Sequence, residues 1–145
     1  MKKLILLVED NSSDEKLTVR ALKKCDVPNE VVVVRDGAEA LDYLFATGAH
    51  ATRDQAAFPA LVLLDLNLPK ISGLEVLRRV RAEETTRALP VVILTSSKED
   101  EDITQGYASG ANAYVRKPVD YAQFVVAAQT LGVFWLQLNE PPPAH

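Results

Sequence analysis

Residues 60–77 read ALVLLDLNLPKISGLEVL, and the apolar run at the start of this stretch ends on a carboxylate, Asp65. The run Leu61–Leu64 is too short for a typical helix, and a continuous apolar run of this length is typical of a strand buried on both faces. The following segment, SGLEVLRRVRAEE, predicts a helix. The stretch therefore predicts a strand, an acidic turn and a helix, which is the repeating unit of an α/β protein.

The same alternation continues along the whole chain. Apolar runs predict further strands at Leu4–Val8, Val31–Val34 and Val91–Leu94, with a weaker strand at Ala113–Val115. The other predicted helices are NSSDEKLTVRALKKC, GAEALDYLFATG, SKEDEDITQGYASG and DYAQFVVAAQTLGVFWLQLN. The order βαβαβαβαβα predicts a doubly wound, five-stranded parallel sheet with helices on both faces and right-handed crossovers.

Two of these helices carry recognisable end signals. Ser12 stands three residues before Glu15, a capping-box pattern that predicts a helix start at Ser12. The fourth helix has acidic residues at 99–102 in its first turn and Gly110 at its end, as the helix dipole and C-cap geometry favour.

Composition limits the class of protein. A chain of 145 residues suits one domain, and its net charge of −4 argues against a broad electrostatic grip on nucleic acid. The single cysteine, Cys25, precludes an internal disulfide. The apolar run after Met1 is too short for a signal peptide, and no run reaches the length of a membrane span. We therefore expect a soluble, cytoplasmic protein without a membrane partner, and a frayed tail at 140–145.

Three acids directly follow two of the predicted strands. Glu9 and Asp10 end the first strand segment, and Asp65 ends the third. Ligands of open α/β sheets bind beyond the carboxyl ends of the strands, so these acids would share one pocket if the two strands are neighbours. Clustered carboxylates repel one another, and a hard divalent cation such as Mg²⁺ would offset the repulsion. The alternative is that they are ordinary solvated acids at loop starts.

Two further polar groups stand at the remaining strand ends. Thr95 ends the fourth strand and Lys117 follows the fifth. A cation held by acids, a hydroxyl and an ammonium together form a cradle for a phosphoryl group. Singly, Thr95 could be a helix cap and Lys117 a surface lysine, but the combination at one edge of the sheet is hard to explain in that way.

Residues 1–139 resemble the receiver domain of two-component response regulators. The resemblance is carried by the acid pair Glu9–Asp10 and by the motifs LLDLNLPKISGLE (with Asp65, Pro69 and Gly73), ILTSS (with Thr95) and GANAYVRKP (with Tyr114 and Lys117). It implies a flavodoxin-like (βα)5 fold with strand order 2-1-3-4-5.

The resemblance also implies a role for each of these residues. Asp65 would be the phosphoacceptor for a histidine kinase, and Lys117 would pair with the phosphoryl oxygens. The implied Mg²⁺ ligands are Glu9, Asp10, Asp65 and the backbone carbonyl of Asn67. Thr95 would move toward the phosphoryl group and Tyr114 would change rotamer with it. The Lys117–Pro118 bond is one that family members often hold cis.

Two departures from a minimal receiver point to partners. The segment ATGAHATRDQAAF, at 46–58, makes a long connection that is either a surface insertion or a partner-recognition loop. In the last helix, a stripe predicts the core side: Tyr121, Phe124, Val125, Ala128, Leu131 and Trp135. Val126, Val133, Phe134 and Leu138 fall off that stripe, which predicts a homodimer through this helix.

The insert and the GVFWLQLNEPPP ending resemble single-domain regulators that are paired with phytochrome-type histidine kinases. With no effector domain expected after residue 139, the output would be binding to an unknown downstream protein. Two other functions compete with this phospho-accepting switch, which would react only at its own aspartate. An aspartyl phosphatase would usually carry an acid where Asn67 stands, and the complete set of site residues argues against a binding module that has lost phosphorylation.

Overall fold

The computed structural model describes residues 2–54 and 57–143. It contains five strands: β1 (Lys3–Val8), β2 (Asn29–Val34), β3 (Leu61–Leu64), β4 (Val91–Thr95) and β5 (Ala113–Arg116). All four pairings between neighbouring strands are parallel, and the order is β2-β1-β3-β4-β5. The predicted fold class and strand order are therefore confirmed.

Helices connect the strands and follow the last one. They are α1 (Ser12–Lys23), α2 (Gly37–Phe45), α3 (Gly73–Ala82), α4 (Asp100–Ala108) and α5 (Tyr121–Val133). A 3₁₀ turn, Gly48–His50, follows α2, and a π-helical segment, Phe134–Leu138, continues α5. No helix among the described residues is long and apolar enough to cross a membrane.

The core lies on both faces of the sheet. Alternate side chains of one strand point to opposite faces, so Leu6 and Val8 pack in one apolar cluster while Ile5 and Leu7 pack in the other. The first cluster is completed mainly by α2 and α3, and the second by α1 and α5. This double burial explains why the strands read as continuous apolar runs rather than as alternating patterns.

The helix α1 begins at Ser12, but its capping residue lies one position before the one that the capping-box pattern predicts. The N-cap is Asn11, whose side-chain Oδ1 accepts the backbone N–H of Asp14 at 3.0 Å, so the Ser12 capping box was wrong. Asparagine caps a helix as well as serine does. Glu15 is paired with Arg35 at 3.0 Å instead of closing a capping box. The end of α4 is as predicted, with Gly110 at φ +106° after the Ser109 cap.

The last helix buries most of the predicted stripe. Phe124 and Ala128 are buried, and Val125, Leu131 and Trp135 pack against the same cluster while half-buried. The prediction missed Leu136, which is buried. It lies in the π-helical segment, where the wider turn changes which side chains point toward the sheet. The Nζ of Lys3, on β1, donates to the Leu136 carbonyl at 2.7 Å and ties this segment to the sheet.

The insert at 46–58 packs on the end of α2. Arg53 Nε donates to the Tyr43 carbonyl at 2.6 Å and Nη2 donates to the Leu44 carbonyl at 3.3 Å. The guanidinium also lies over the rings of Tyr43 and Phe58. Residues 55 and 56 of the insert lie outside the described residues. In the predicted tail, residues 140–143 are exposed and carry no regular secondary structure, and 144 and 145 lie outside the described residues.

Candidate functional site

The three predicted acids converge at the carboxyl edge of the sheet. Glu9 follows β1 and Asp65 follows β3, and these strands pair with Val8 opposite Leu64. One carboxylate oxygen from each of Glu9, Asp10 and Asp65 lies within 4.8 Å of the other two. Glu9 is 1% exposed and Asp65 is 7% exposed, whereas Asp10 is exposed. The cluster therefore combines two buried acids with one at the rim.

Lys117 enters this cluster from the end of β5. Its backbone N–H donates to the Thr95 carbonyl at 2.7 Å, which fixes the residue beside β4. Its Nζ lies 2.6 Å from Glu9 Oε1, 2.9 Å from Asp14 Oδ2 and 3.1 Å from Asp65 Oδ2. Sequence reasoning placed Lys117 at this edge but missed Asp14, because an acid in the first turn of a helix is usually explained by the helix dipole.

The electrostatics of the pocket follow from burial and from this ammonium. Burial raises the pKa of Glu9 to about 7; the hydrogen bond and the charge of Lys117 oppose this rise, and the charge of Asp65 adds to it. Burial lowers the pKa of Lys117, but its hydrogen bonds to Glu9 and Asp14 and the nearby carboxylates raise it more, so the ammonium stays charged. Glu9, Asp14 and Asp65 thus pair with the Lys117 ammonium, and Asp10 lies beside Glu9 and Asp65.

The loop after β3 is shaped to present Asp65. The backbone N–H of Asn67 donates to Asp65 Oδ1 at 3.2 Å, and the Gly73 N–H donates to the Leu66 carbonyl at 3.1 Å. A Cβ at position 73 would lie 2.3 Å from the backbone oxygen of Asp65. Only glycine allows this close approach, so Gly73 holds the start of α3 directly against the loop that carries Asp65.

Thr95 and Tyr114 meet at the loop between β4 and α4. Thr95 is fully buried and its Oγ1 accepts the Ser97 N–H at 3.4 Å, while the Tyr114 hydroxyl donates to the Ser97 carbonyl at 3.0 Å. Burial raises the pKa of Tyr114. The Ser97 hydroxyl donates to Asp102 Oδ2 at 2.5 Å, which links this loop to α4. Ser97 and Asp102 were not singled out from the sequence, since their contacts depend on the loop geometry.

One implication of the resemblance is wrong for this structure. The Lys117–Pro118 bond is trans, as are all peptide bonds within residues 2–54 and 57–143. The trans form remains the preferred one even before proline, by about 0.5–1 kcal/mol.

The donor set of the cluster fits a hard divalent cation. Its three candidate ligands are carboxylates, and no histidine or cysteine among the described residues belongs to the cluster. Oxygen ligands of this kind suit Mg²⁺, Mn²⁺ or Ca²⁺ rather than zinc. The carboxylates of Glu9, Asp10 and Asp65 outnumber the Lys117 ammonium, and such a cation would offset the repulsion between them.

The family to which this chain belongs follows from its fold and from a match to a known family. The family model of the response regulator receiver domain matches residues 5–129. Together with the strand order, this makes the chain a receiver domain of the two-component response regulators, a class of signalling switches that pair with histidine kinases.

Several response regulators of nearly the same length are similar to this chain along almost all of it. Response regulator Rcp1 of Synechocystis sp. is 34% identical over 142 residues, covering 98% of this chain and 95% of its own, and one solved structure of Rcp1 is an Mn²⁺-bound form. The phosphorylated cyanobacterial phytochrome response regulator RcpA is 40% identical with a TM-score of 0.90, covering 99% of this chain and 100% of its own. The bacteriophytochrome response regulator AtBRR is 55% identical with a TM-score of 0.77, covering 97% and 99%.

Proposed function

We propose that Asp65 is the phosphoacceptor of this receiver, which we take to span residues 1–139. A carboxylate oxygen of Asp65 would attack the phosphorus of a phosphohistidine, forming an O–P bond as the P–N bond of the kinase histidine breaks. The observation that carries this proposal is the position of Asp65, a buried carboxylate 3.1 Å from the Lys117 ammonium and within reach of two other acids. Lys117 would then pair with the phosphoryl oxygens.

The cation of this site would be Mg²⁺, held by Glu9, Asp10, Asp65 and the backbone carbonyl of Asn67. A bound divalent cation supplies charge neutralisation for phosphoryl transfer between anionic groups. The protein's own contribution is to gather these acids on two neighbouring strand ends and to supply one fixed ammonium.

The signal would leave through Thr95 and Tyr114. A phosphoryl group on Asp65 would add strong acceptor oxygens, and the Thr95 hydroxyl would move toward them. Both side chains already contact Ser97. A movement of Thr95 would therefore shift the loop between β4 and α4 and, with it, the Tyr114 ring. The changed surface would then lie on α4 and β5, where a downstream protein would bind.

The partner that we propose upstream is a sensor histidine kinase of the bacteriophytochrome type. RcpA and AtBRR are described as phytochrome and bacteriophytochrome response regulators, and both align with nearly the whole of this chain. Transfer from such a kinase would be expected at Asp65, with slow hydrolysis of the aspartyl phosphate by the receiver itself. The site of action would be the cytoplasm.

A second copy of the chain is the partner that we propose for the last helix. Val126, Phe134 and Leu138 are 62%, 46% and 64% exposed, and Val133 is half-buried beside them. Phe134 and Leu138 begin and end the π-helical segment, and Val126 lies about two turns before Phe134 in α5. Burying a large apolar side chain stabilises by about 1.5–3 kcal/mol, and a two-fold interface uses the same patch on both subunits.

Phosphotransfer from a purified bacteriophytochrome-type kinase to this chain tests the function. The kinase is first autophosphorylated and then mixed with the receiver in the presence of Mg²⁺ or of a chelator. We expect transfer only with Mg²⁺ and only to a chain that retains Asp65. Transfer to the Asp65→Asn variant would contradict the assignment of the phosphoacceptor, whereas labelling by a small phosphodonor but not by this kinase would contradict only the choice of kinase.

A further inference from the structure

Of the three described acids that pair with Lys117, Asp14 is the one to which the proposed mechanism gives no role. It lies in the first turn of α1, and its Oδ2 is 2.9 Å from Lys117 Nζ. Its side chain is 37% exposed, and it is not part of the three-carboxylate cluster formed by Glu9, Asp10 and Asp65. Asp14 is therefore a neighbour of the ammonium rather than of the candidate cation site.

All three hydrogen-bond donors of the Lys117 ammonium are used. An ammonium group has three N–H bonds, and here they are accepted by Glu9 Oε1, Asp14 Oδ2 and Asp65 Oδ2. Two of these acceptors belong to the cation cluster. A cation that binds Glu9 and Asp65 would thus compete with Lys117 for these two carboxylates. The third acceptor, Asp14, would still accept a hydrogen bond from the ammonium.

The backbone of α1 holds Asp14 in position for this contact. Its N–H donates to the capping side chain of Asn11 at 3.0 Å, and its carbonyl accepts the Thr18 hydroxyl at 2.8 Å. Asn11 is itself tied to the site, because its N–H donates to Glu9 Oε2 at 3.2 Å. The first turn of α1 and the acid after β1 are therefore one hydrogen-bonded unit.

We propose that Asp14 is a positioning residue for Lys117. It retains the ammonium in the pocket when a divalent cation occupies Glu9 and Asp65, and so keeps Lys117 available for a phosphoryl group on Asp65. The inference rests on the proposed function of the site and adds to it a residue outside the matched motifs.

A purely structural role for Asp14 makes a different prediction. An acid in the first turn stabilises a helix through the helix dipole. In that case, removing the carboxylate lowers the stability of α1 and leaves cation binding and the environment of Lys117 unchanged. Cation affinity and a signal from the lysine itself therefore separate the two roles.

The experiment is a Mg²⁺ titration followed by NMR on the full chain, with Lys117 observed through the ¹⁵N-coupled signal of its ammonium. The variants are Asp14→Asn, Asp14→Glu and a matched control, Glu15→Gln, which removes one charge from the same turn of α1. Glu15 is paired with Arg35, whereas the ion pairs of Lys117 are with Glu9, Asp14 and Asp65. Thermal unfolding of each variant verifies that it is folded.

We expect Asp14→Asn to bind Mg²⁺ about three- to tenfold more weakly than the parent, since the ammonium loses its charged acceptor outside the cluster and competes more strongly with the cation for Glu9 and Asp65. Addition of Mg²⁺ should broaden the Lys117 ammonium signal of this variant through faster exchange with water, while the parent keeps a sharp signal. Asp14→Glu should restore both properties in part, and Glu15→Gln should match the parent.

Two outcomes would overturn the proposal. One is parental affinity and a parental Lys117 signal in Asp14→Asn. The other is an equal loss of affinity in Asp14→Asn and Glu15→Gln, which would reflect net charge alone. Failure of the parent itself to bind Mg²⁺ would contradict the proposed function, and this inference with it; that failure is recognisable before any variant is compared.

Discussion

The Lys117 ammonium and the Glu9 carboxylate, 108 positions apart in the chain, lie 2.6 Å from each other. Their side chains are 7% and 1% exposed, so the pair is held almost entirely away from water. Removing one partner of a buried ion pair leaves an uncompensated charge, which makes such a pair sensitive to any change nearby. In this receiver domain, the Lys117–Glu9 pair lies beside Asp65, so a change of charge at the proposed phosphoacceptor would act directly on the pair.

The first prediction concerns the cation. Asp10→Ala should weaken Mg²⁺ binding by about tenfold or more, because a carboxylate ligand is lost from a small set. Calorimetric titration of the unphosphorylated protein measures this, with Glu15→Gln as a variant of equal charge change away from the cluster. An Asp10→Ala titration that overlays the parent would show that Asp10 is not a ligand.

The second prediction separates phosphorylation from signalling. Thr95→Ala and Tyr114→Ala should still accept a phosphoryl group at Asp65, since neither residue is the nucleophile or a metal ligand. Both should lose part of the phosphorylation-dependent change on α4 and β5, because both contact the Ser97 loop.

Backbone amide shifts recorded before and after phosphorylation measure that change. The control is the extent of phosphorylation, which intact-protein mass gives for the same samples. If Thr95→Ala shifts α4 and β5 as fully as the parent does, the signal leaves the site by another route.

The third prediction concerns the insert. Arg53→Gln should lower the free energy of unfolding by about 1–3 kcal/mol, because the last carbonyls of α2 lose charge-assisted hydrogen bonds and two rings lose a stacked guanidinium. Urea unfolding measures the loss. The exposed Arg87, changed to Gln, is the control and should stay within about 0.5 kcal/mol of the parent. Equal stability of the two variants would mean that the insert does not support α2.

The sequence predicted the elements whose signal is local. Leu61–Leu64, β1 and β4 are buried on both faces, so each appears as an apolar run that can be recognised without knowing its neighbours. Glu9, Asp10, Asp65, Thr95 and Lys117 were found because each stands at the end of such a strand, and the edge of a parallel sheet brings strand ends together.

Two kinds of feature were harder to predict: a choice between two equally suitable residues, and a contact between residues far apart in the chain. Asn11 and Ser12 are both good capping residues, and only the geometry selects Asn11. The burial of Leu136 depends on the π-helical segment, and no residue pattern in the sequence predicts that segment. The Asp14–Lys117 contact spans 103 positions, and the packing of Arg53 on α2 requires the fold of the insert.

The fourth prediction is the oligomeric state. The parent should sediment as a dimer at micromolar concentration, and Phe134→Asp should sediment as a monomer, because a carboxylate would be buried in an apolar interface. Val119→Asp is the matched control: Val119 is fully exposed in the loop before α5, at the other end of this helix, and its variant should remain a dimer. A monomeric parent, or a dimeric Phe134→Asp variant, would remove the case for this interface.

The most direct test of the proposed function is to locate the phosphoryl group after treatment with a small acyl phosphate and Mg²⁺. Intact-protein mass spectrometry, followed by reductive or hydroxylamine trapping of the aspartyl phosphate and peptide mapping, identifies the modified residue. We predict one phosphoryl group per chain, on Asp65, and none on a folded Asp65→Asn variant, because the amide is nearly isosteric but a poor nucleophile. A trapped acyl phosphate on any other residue, or equal labelling of the Asp65→Asn variant, would contradict it.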